Sequence, residues 1–123
     1  MKVFVYGTLK SGHGNHKAYL YQSPLVGNAS IMGFDLYDLG CFPAIVKNST
    51  EGRRVFGELY EVTPAVAKQL DGLEGYRPDG SGLYDKTLVT AELEDGTTFE
   101  DVLVYHMHVP PTRAELLTLG VWP

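Results

Sequence analysis

The 123-residue sequence contains one cysteine, Cys41, so no intramolecular disulfide can form and the chain must fold on its apolar core alone. It has no hydrophobic run long enough to span a bilayer as a helix. There is no internal repeat, no low-complexity tract and no linker, and HExxH patterns and cysteine pairs are missing as well. Cations are sparse: ten Lys and Arg stand against fifteen Asp and Glu, for a formal net charge of −5. Only Arg53 and Arg54 are neighbours, which removes the clustered positive charge on which nucleic-acid affinity rests. The opening segment from Met1 to Gly7 carries one positive charge and a very short apolar run, too slight for a signal peptide. The expectation is a cytoplasmic protein with neither a membrane nor a nucleic acid as partner.

What is present describes one folded unit. Hydrophobic residues make up 44% and charged residues 20%, spread from end to end, and the length suits a single domain over residues 1–123. Lys2 to Tyr6 reads as a buried strand that feeds a glycine-containing loop, with a short helical piece near Ala18 to Tyr21. Gly33 to Leu39 and Ala44 to Lys47 suggest a hairpin, and Val55 to Val62 a strand half-buried on both faces. Thr63-Pro64 is a helix start, a hydroxyl at the N-cap and a proline at the first helical position. Val66, Leu70 and Leu73 continue at helical spacing, and Gly72 or Gly75 can end the helix in left-handed geometry. Tyr84 to Leu93 and Thr98 to His108 make a second hairpin across Asp95-Gly96. Thr112 is expected to cap a last short helix through Leu117. The tally predicts an α+β fold: a small, mostly antiparallel β-barrel of about six strands with two or three short flanking helices.

Three features invite chemistry. Gly7 and Gly12 have the spacing of a phosphate-binding P-loop, but His13 and Gly14 stand where Lys and Ser/Thr are required, which excludes the nucleotide reading. A glycine-rich turn after a buried strand can instead aim successive N–H groups at one anion, or can simply be a tight turn. Gly7→Val is therefore expected to lose ligand binding more than stability. Glu74 falls in the last turn of the predicted helix, at the negative end of its dipole and beside Asp71. Both disfavour the ionised form, though by well under one pKa unit for the dipole, and only burial would lift it further. A plain surface glutamate fits the same pattern. His13 and His16 in one loop and His106 and His108 on one strand face could converge on a metal, but the alternation at 106 and 108 equally suits a solvent-facing strand edge and no HExxH pattern or cysteine pair supports it; Cys41 has no assignable histidine partner, so the expectation is no metal and no cysteine nucleophile.

Tyr6-Gly7-Thr8-Leu9 resembles the Tyr-Gly-(Ser/Thr)-Leu loop of the γ-glutamylcyclotransferase-like superfamily, which includes γ-glutamylamine cyclotransferases and AIG2-like proteins. Gly40-Cys41-Phe42-Pro43-Ala44, Val55-Phe56-Gly57-Glu58-Leu59-Tyr60 and Leu70-Asp71-Gly72-Leu73-Glu74-Gly75 follow in the family's order, as do Val104-Tyr105 and Gly120-Val121-Trp122. Two departures stand out: Tyr84-Asp85-Lys86 replaces the family's Tyr-x-Arg, and the loop from Arg77 to Gly82 is long.

The resemblance implies a small barrel and a cofactor-free cyclisation of a small-molecule γ-glutamyl amine or γ-glutamyl amino acid to 5-oxoproline. Glu74 would be the catalytic acid/base. Tyr6, Gly7, Thr8 and Leu9 would bind substrate, and the hydroxyls of Tyr84 and Tyr105 would assist or merely pack. Two other readings stay open: a non-catalytic binding protein on the same fold, and an enzyme that removes a γ-glutamyl protecting group from a biosynthetic intermediate. No residue pattern sets an oligomeric state.

Overall fold

Alternation along the first strand sets the architecture. In β1 (Lys2–Val5) Val3 and Val5 point to one side and Phe4 to the other, and all three are buried. A strand apolar on both faces needs cover on both, and the fold supplies a barrel interior on one side and helices on the other. The computed structural model describes residues 1–48 and 53–123.

After β1 come α1 (His16–Tyr19), β2 (Leu25–Met32), β3 (Phe34–Asp38), β4 (Pro43–Lys47), β5 (Arg54–Glu61), α2 (Pro64–Leu73), β6 (Asp85–Leu93), β7 (Thr98–His106) and β8 (Glu115–Leu116). Five strands close a barrel in the order β1-β5-β2-β6-β7, and β4-β3-β8 form a small second sheet. Every barrel pairing is antiparallel except the closing one, where β1 runs parallel to β7 with Val3 opposite Leu103. Phe4, Ala29, Ile31, Leu59, Ala91, Val102 and Val104 belong to the cluster that Trp122 joins. Val3, Val5, Tyr60, Leu103 and Tyr105 belong to a second cluster with Leu70 and partly buried Leu73 of α2. β1 from Val3 and β7 from Val102 are buried on both sides, so residues at their ends are well placed to hold a site.

Several predicted elements are present with bounds shifted by one or two residues: both hairpins, the strand read as Val55 to Val62, which runs Arg54–Glu61, and the capped helix. Thr63 Oγ1 accepts from the Val66 N–H at 3.2 Å, with Pro64 at the first helical position. The predicted helix from Thr112 to Leu117 is not formed. Arg113 has φ 63°, outside helical geometry, and Glu115–Leu116 instead pairs with Tyr37 and Asp38 at the free edge of β3. A six-residue segment gains little as an isolated helix, whereas an open edge offers ready backbone partners. β2 carries no matching prediction, because Gly27, Asn28 and Ser30 dilute its apolar signal. Its pairing with β5 from Leu25 to Met32 holds it in place.

Candidate active site

The sequence Leu70-Asp71-Gly72-Leu73-Glu74-Gly75 ends α2 in a defined way. The Gly75 N–H donates to the Gly72 carbonyl at 3.3 Å and the Tyr76 N–H to the Asp71 carbonyl at 2.9 Å, with Gly75 at φ 65°. This double bond pattern, closed by a left-handed residue, is a Schellman motif. Gly75, and not Gly72, supplies the left-handed position. Glu74 is thereby the C-cap, directed away from the helix and into a cavity of about 260 Å³.

That cavity brings together the residues that the family resemblance marks as the site: Tyr6, Gly7, Thr8 and Leu9 from the turn after β1, Glu74, and Tyr84 and Tyr105. Burial pushes the Glu74 carboxyl up to about 7. The negative charge of Asp71 is not a cause. Among the described residues no side-chain donor reaches the Glu74 carboxylate, so its ionised form is partly desolvated without a fixed hydrogen bond in return. The same carboxylate is felt by its surroundings. Tyr6, Tyr84 and Tyr105 are raised first by burial, with the charge of Glu74 a further cause for each.

Asp71 has a different role. It accepts the Tyr105 hydroxyl at 2.6 Å and the Lys86 ammonium at 3.1 and 2.9 Å, while Lys86 lies 4.3 Å above the Tyr76 ring. Lys86 therefore keeps the charge of the family's arginine without its fork, and spends it on Asp71 outside the cavity wall.

The tyrosine hydroxyls are committed as donors. Tyr6 O–H donates to the Tyr105 carbonyl at 2.8 Å, Tyr84 O–H to the Pro43 carbonyl at 2.7 Å, and Tyr105 O–H to Asp71. Each phenol oxygen is left with acceptor capacity only. The turn after β1 is the opposite. Its carbonyls are used, Gly7 by the Lys10 N–H and Thr8 by the Asn15 N–H, both at 3.0 Å. Among the described residues the N–H groups of Gly7, Thr8 and Leu9 have no acceptor. The cavity is thus lined by phenol oxygens free only to accept and by a turn whose N–H groups are unengaged, with the half-buried Glu74 carboxyl among them.

Gly7 corrects the sequence reading. A Cβ there would stand 2.5 Å from Pro43 Cγ and 2.6 Å from Pro43 Cδ, so the close approach that demands glycine is to this ring. Gly7→Val would displace Pro43 and cost stability as well as binding. Sequence reasoning gave no role to Pro43, Phe42, Leu83 or Asn15, all of which line the cavity. The only available signal was Gly40-Cys41-Phe42-Pro43-Ala44 as a family segment.

The two histidine pairs do not converge. His13 packs on Trp122 and His16 on Tyr60, while His106 packs on Phe34 and edge-on against exposed His108, which meets Asp85. Among the described residues no group of three or more His, Cys, Asp or Glu side chains is placed to hold a metal ion, and no helix is long and apolar enough to cross a membrane.

The sequence profile of the family described as gamma-glutamyl cyclotransferase, AIG2-like, matches residues 3–123. The chain belongs to this family. The gamma-glutamylcyclotransferase family protein YtfP of Escherichia coli K12 is 32% identical over 123 residues, which cover 99% of this chain and 96% of that protein. The gamma-L-glutamyl-butirosin B gamma-glutamyl cyclotransferase of Niallia circulans is 33% identical over 107 residues, 85% of this chain and 66% of that one. The crystal structure of an AIG2-like protein from Mus musculus superposes with a TM-score of 0.80 at 26% identity, over 99% of this chain and 87% of that structure. The γ-glutamyl cyclotransferase family thus has, in this member, the barrel and the Glu74 cavity described above.

Proposed function

We propose that this chain is an intramolecular cyclotransferase that converts a γ-glutamyl compound into 5-oxoproline and a free amine, with Glu74 as the proton shuttle. The observation that carries the reading is the Glu74 carboxyl itself: half-buried, without a side-chain donor among the described residues, and raised to about 7 by burial in a cavity it shares with the turn of Gly7, Thr8 and Leu9, whose N–H groups have no acceptor among those residues. A general acid/base works best when its pKa lies near the operating pH.

The chemistry follows from the polarity of the cavity. The α-carboxylate of a glutamyl group suits the N–H groups of Gly7, Thr8 and Leu9, as at other backbone anion nests. Its α-ammonium suits the phenol oxygens and Glu74. Held so, the chain is curled, and the amine lies close to its own side-chain carbonyl, which supplies the proximity term without any second reactant. Glu74 takes a proton from the ammonium, and the freed nitrogen attacks the carbonyl carbon. A new C–N bond forms and the old amide C–N bond breaks. Two protons leave the α-nitrogen and two reach the departing nitrogen, so no water or co-reactant is consumed. One carboxyl can carry these in turn.

Removal of a γ-glutamyl protecting group is the same step with a bulkier amine, a reading favoured by likeness to the butirosin enzyme. The test is product analysis. Incubation with a panel of γ-glutamyl amines and amino acids should release 5-oxoproline from at least one. Tight binding without 5-oxoproline from any of them would replace the enzyme reading with that of a binding protein.

A further inference from the structure

The turn after β1 is braced from outside the cavity it helps to line. Its three carbonyls are engaged: Gly7 and Thr8 by the N–H groups of Lys10 and Asn15, and Leu9 by His16, whose Nδ1 lies 3.0 Å away. Where the chain leaves the turn it is held by Glu58 of β5. Glu58 Oε1 accepts the Ser11 N–H at 2.6 Å and the Tyr60 hydroxyl at 2.9 Å. Tyr60 is buried and the His16 ring packs on it, so the carboxylate that holds Ser11 and the ring that reaches Leu9 rest on one phenol. The adjoining Lys10 is tied elsewhere, its ammonium donating to the Trp122 carbonyl at 2.6 Å. Glu58 also stands opposite Val5, the last residue of β1, and a Cβ on its neighbour Gly57 would run into the Val5 carbonyl oxygen. β5 therefore grips both the exit of β1 and the far end of the turn. Glu58 does not itself line the Glu74 cavity.

From this we infer that Glu58 is a positioning residue for the carboxylate end of the substrate: by holding the Ser11 N–H and the Tyr60 hydroxyl, it keeps the N–H groups of Gly7, Thr8 and Leu9 set for one anion. The inference rests on the cyclotransferase reading and deepens it. Several backbone N–H groups bind an anion together only while their peptide planes keep one arrangement. A turn that begins at glycine has more arrangements open to it than most, and one that is fixed beforehand saves the ordering cost at the moment of binding. A carboxylate suits the task, because its bonds to N–H and O–H donors are short and strong and one oxygen can take both. The α-carboxylate takes no part in the exchange of C–N bonds, so its loss of grip weakens ground state and transition state alike. KM then rises while kcat is little changed.

A matched pair of ligands isolates the carboxylate: 5-oxoproline and 2-pyrrolidinone, the same lactam with and without that group. Their binding is followed by NMR titration of the parent, Glu58→Ala and Glu58→Gln. The parent should prefer 5-oxoproline. Glu58→Ala should weaken 5-oxoproline about 10-fold, the low end of what a hydrogen bond to a charged group decides, and leave 2-pyrrolidinone as it was. Glu58→Gln keeps an acceptor oxygen within reach of Ser11 and Tyr60 and should recover most of the lost affinity. On a γ-glutamyl compound that the parent turns over, Glu58→Ala should raise KM by a similar factor with kcat little changed. Where Glu58→Ala does not fold, Glu58→Asp, one methylene shorter, carries the same expectations. A parent without preference between the lactams, equal weakening of both, parental affinity for 5-oxoproline in Glu58→Ala, or a fall in kcat at constant KM would each overturn the inference while leaving the cyclotransferase reading intact. If the parent releases 5-oxoproline from no γ-glutamyl compound, that reading fails, and the lactam pair still decides the role of Glu58.

Discussion

Asp71 and Glu74 leave the same last turn of α2 three residues apart, and the barrel treats them differently. Asp71 faces Lys86 and the Tyr105 hydroxyl and is satisfied on both oxygens. Glu74 lines a cavity with Phe42, Leu73 and Leu83, has no side-chain donor among the described residues, and is held at about 7 by burial. Two carboxyls of nearly equal chemistry thus become a strut and a titrating group. The helix dipole acts on both alike, so it cannot separate them. What separates them is the chain that comes back from elsewhere: β6 brings a cation to one side, and the 41–43 and 83–84 segments bring apolar cover to the other.

The sharpest way to break this comparison is Glu74→Gln, which keeps size and removes the titrating group. Turnover should fall by at least ~10²-fold with substrate binding retained. Equal rates in a 5-oxoproline assay would make Glu74 a strut like Asp71. Next is Gly7→Val, which pushes on Pro43 and through it on the carbonyl that holds Tyr84. Urea melts should show a loss of about 1–3 kcal/mol, typical of overpacking, with activity reduced as the cavity opens. A variant of parental stability would contradict the tight Gly7–Pro43 contact.

Asp71→Asn removes the charge from the strut and leaves Lys86 without its anion. Since both partners are partly exposed, the cost should be only about 1–2 kcal/mol, and the fall in turnover should be far smaller than for Glu74→Gln. A loss as large as that of Glu74→Gln would place Asp71 among the reacting groups. The smallest effect is in stability against pH. Glu74 binds its proton more tightly folded than unfolded, so between about 4.5 and about 7 the native state carries the excess proton, and stability falls as pH rises through that window. Comparing denaturation midpoints at pH 4 and pH 8, Glu74→Gln should gain on the parent only at the higher pH. A gap of the same size at both would remove Glu74 from the linkage.

Local signals in the sequence carried the elements whose causes are local. Thr63-Pro64 marked α2 because capping needs only its own turn, and Asp95-Gly96 marked the β6–β7 hairpin, where the Thr97 N–H donates to Asp95 Oδ1 at 2.9 Å and Gly96 takes φ 89°. β2 and β8 escaped because each is held by partners distant in sequence: Gly27 to Met32 by β5, and Glu115–Leu116 by β3. The site divides the same way. The end of α2 at Gly75 was readable, and the family resemblance singled out Glu74. Burial raises Glu74, and the cavity it lines is completed by Phe42, Pro43, Leu83 and three tyrosines on separate segments that no spacing rule connects. The Asp71–Lys86 contact likewise joins positions fifteen apart across two elements.

The pH dependence of kcat/KM for 5-oxoproline release by the parent and by Glu74→Gln tests the account most directly. A base must be deprotonated to accept the proton, so the parent rate should fall as pH drops through about 7, tenfold per pH unit below it, and the residual rate of Glu74→Gln should lack that limb. A parent profile that stays flat down to the ordinary glutamate range, or an unchanged limb in Glu74→Gln, would contradict the claim that the buried carboxyl at the end of α2 moves the proton.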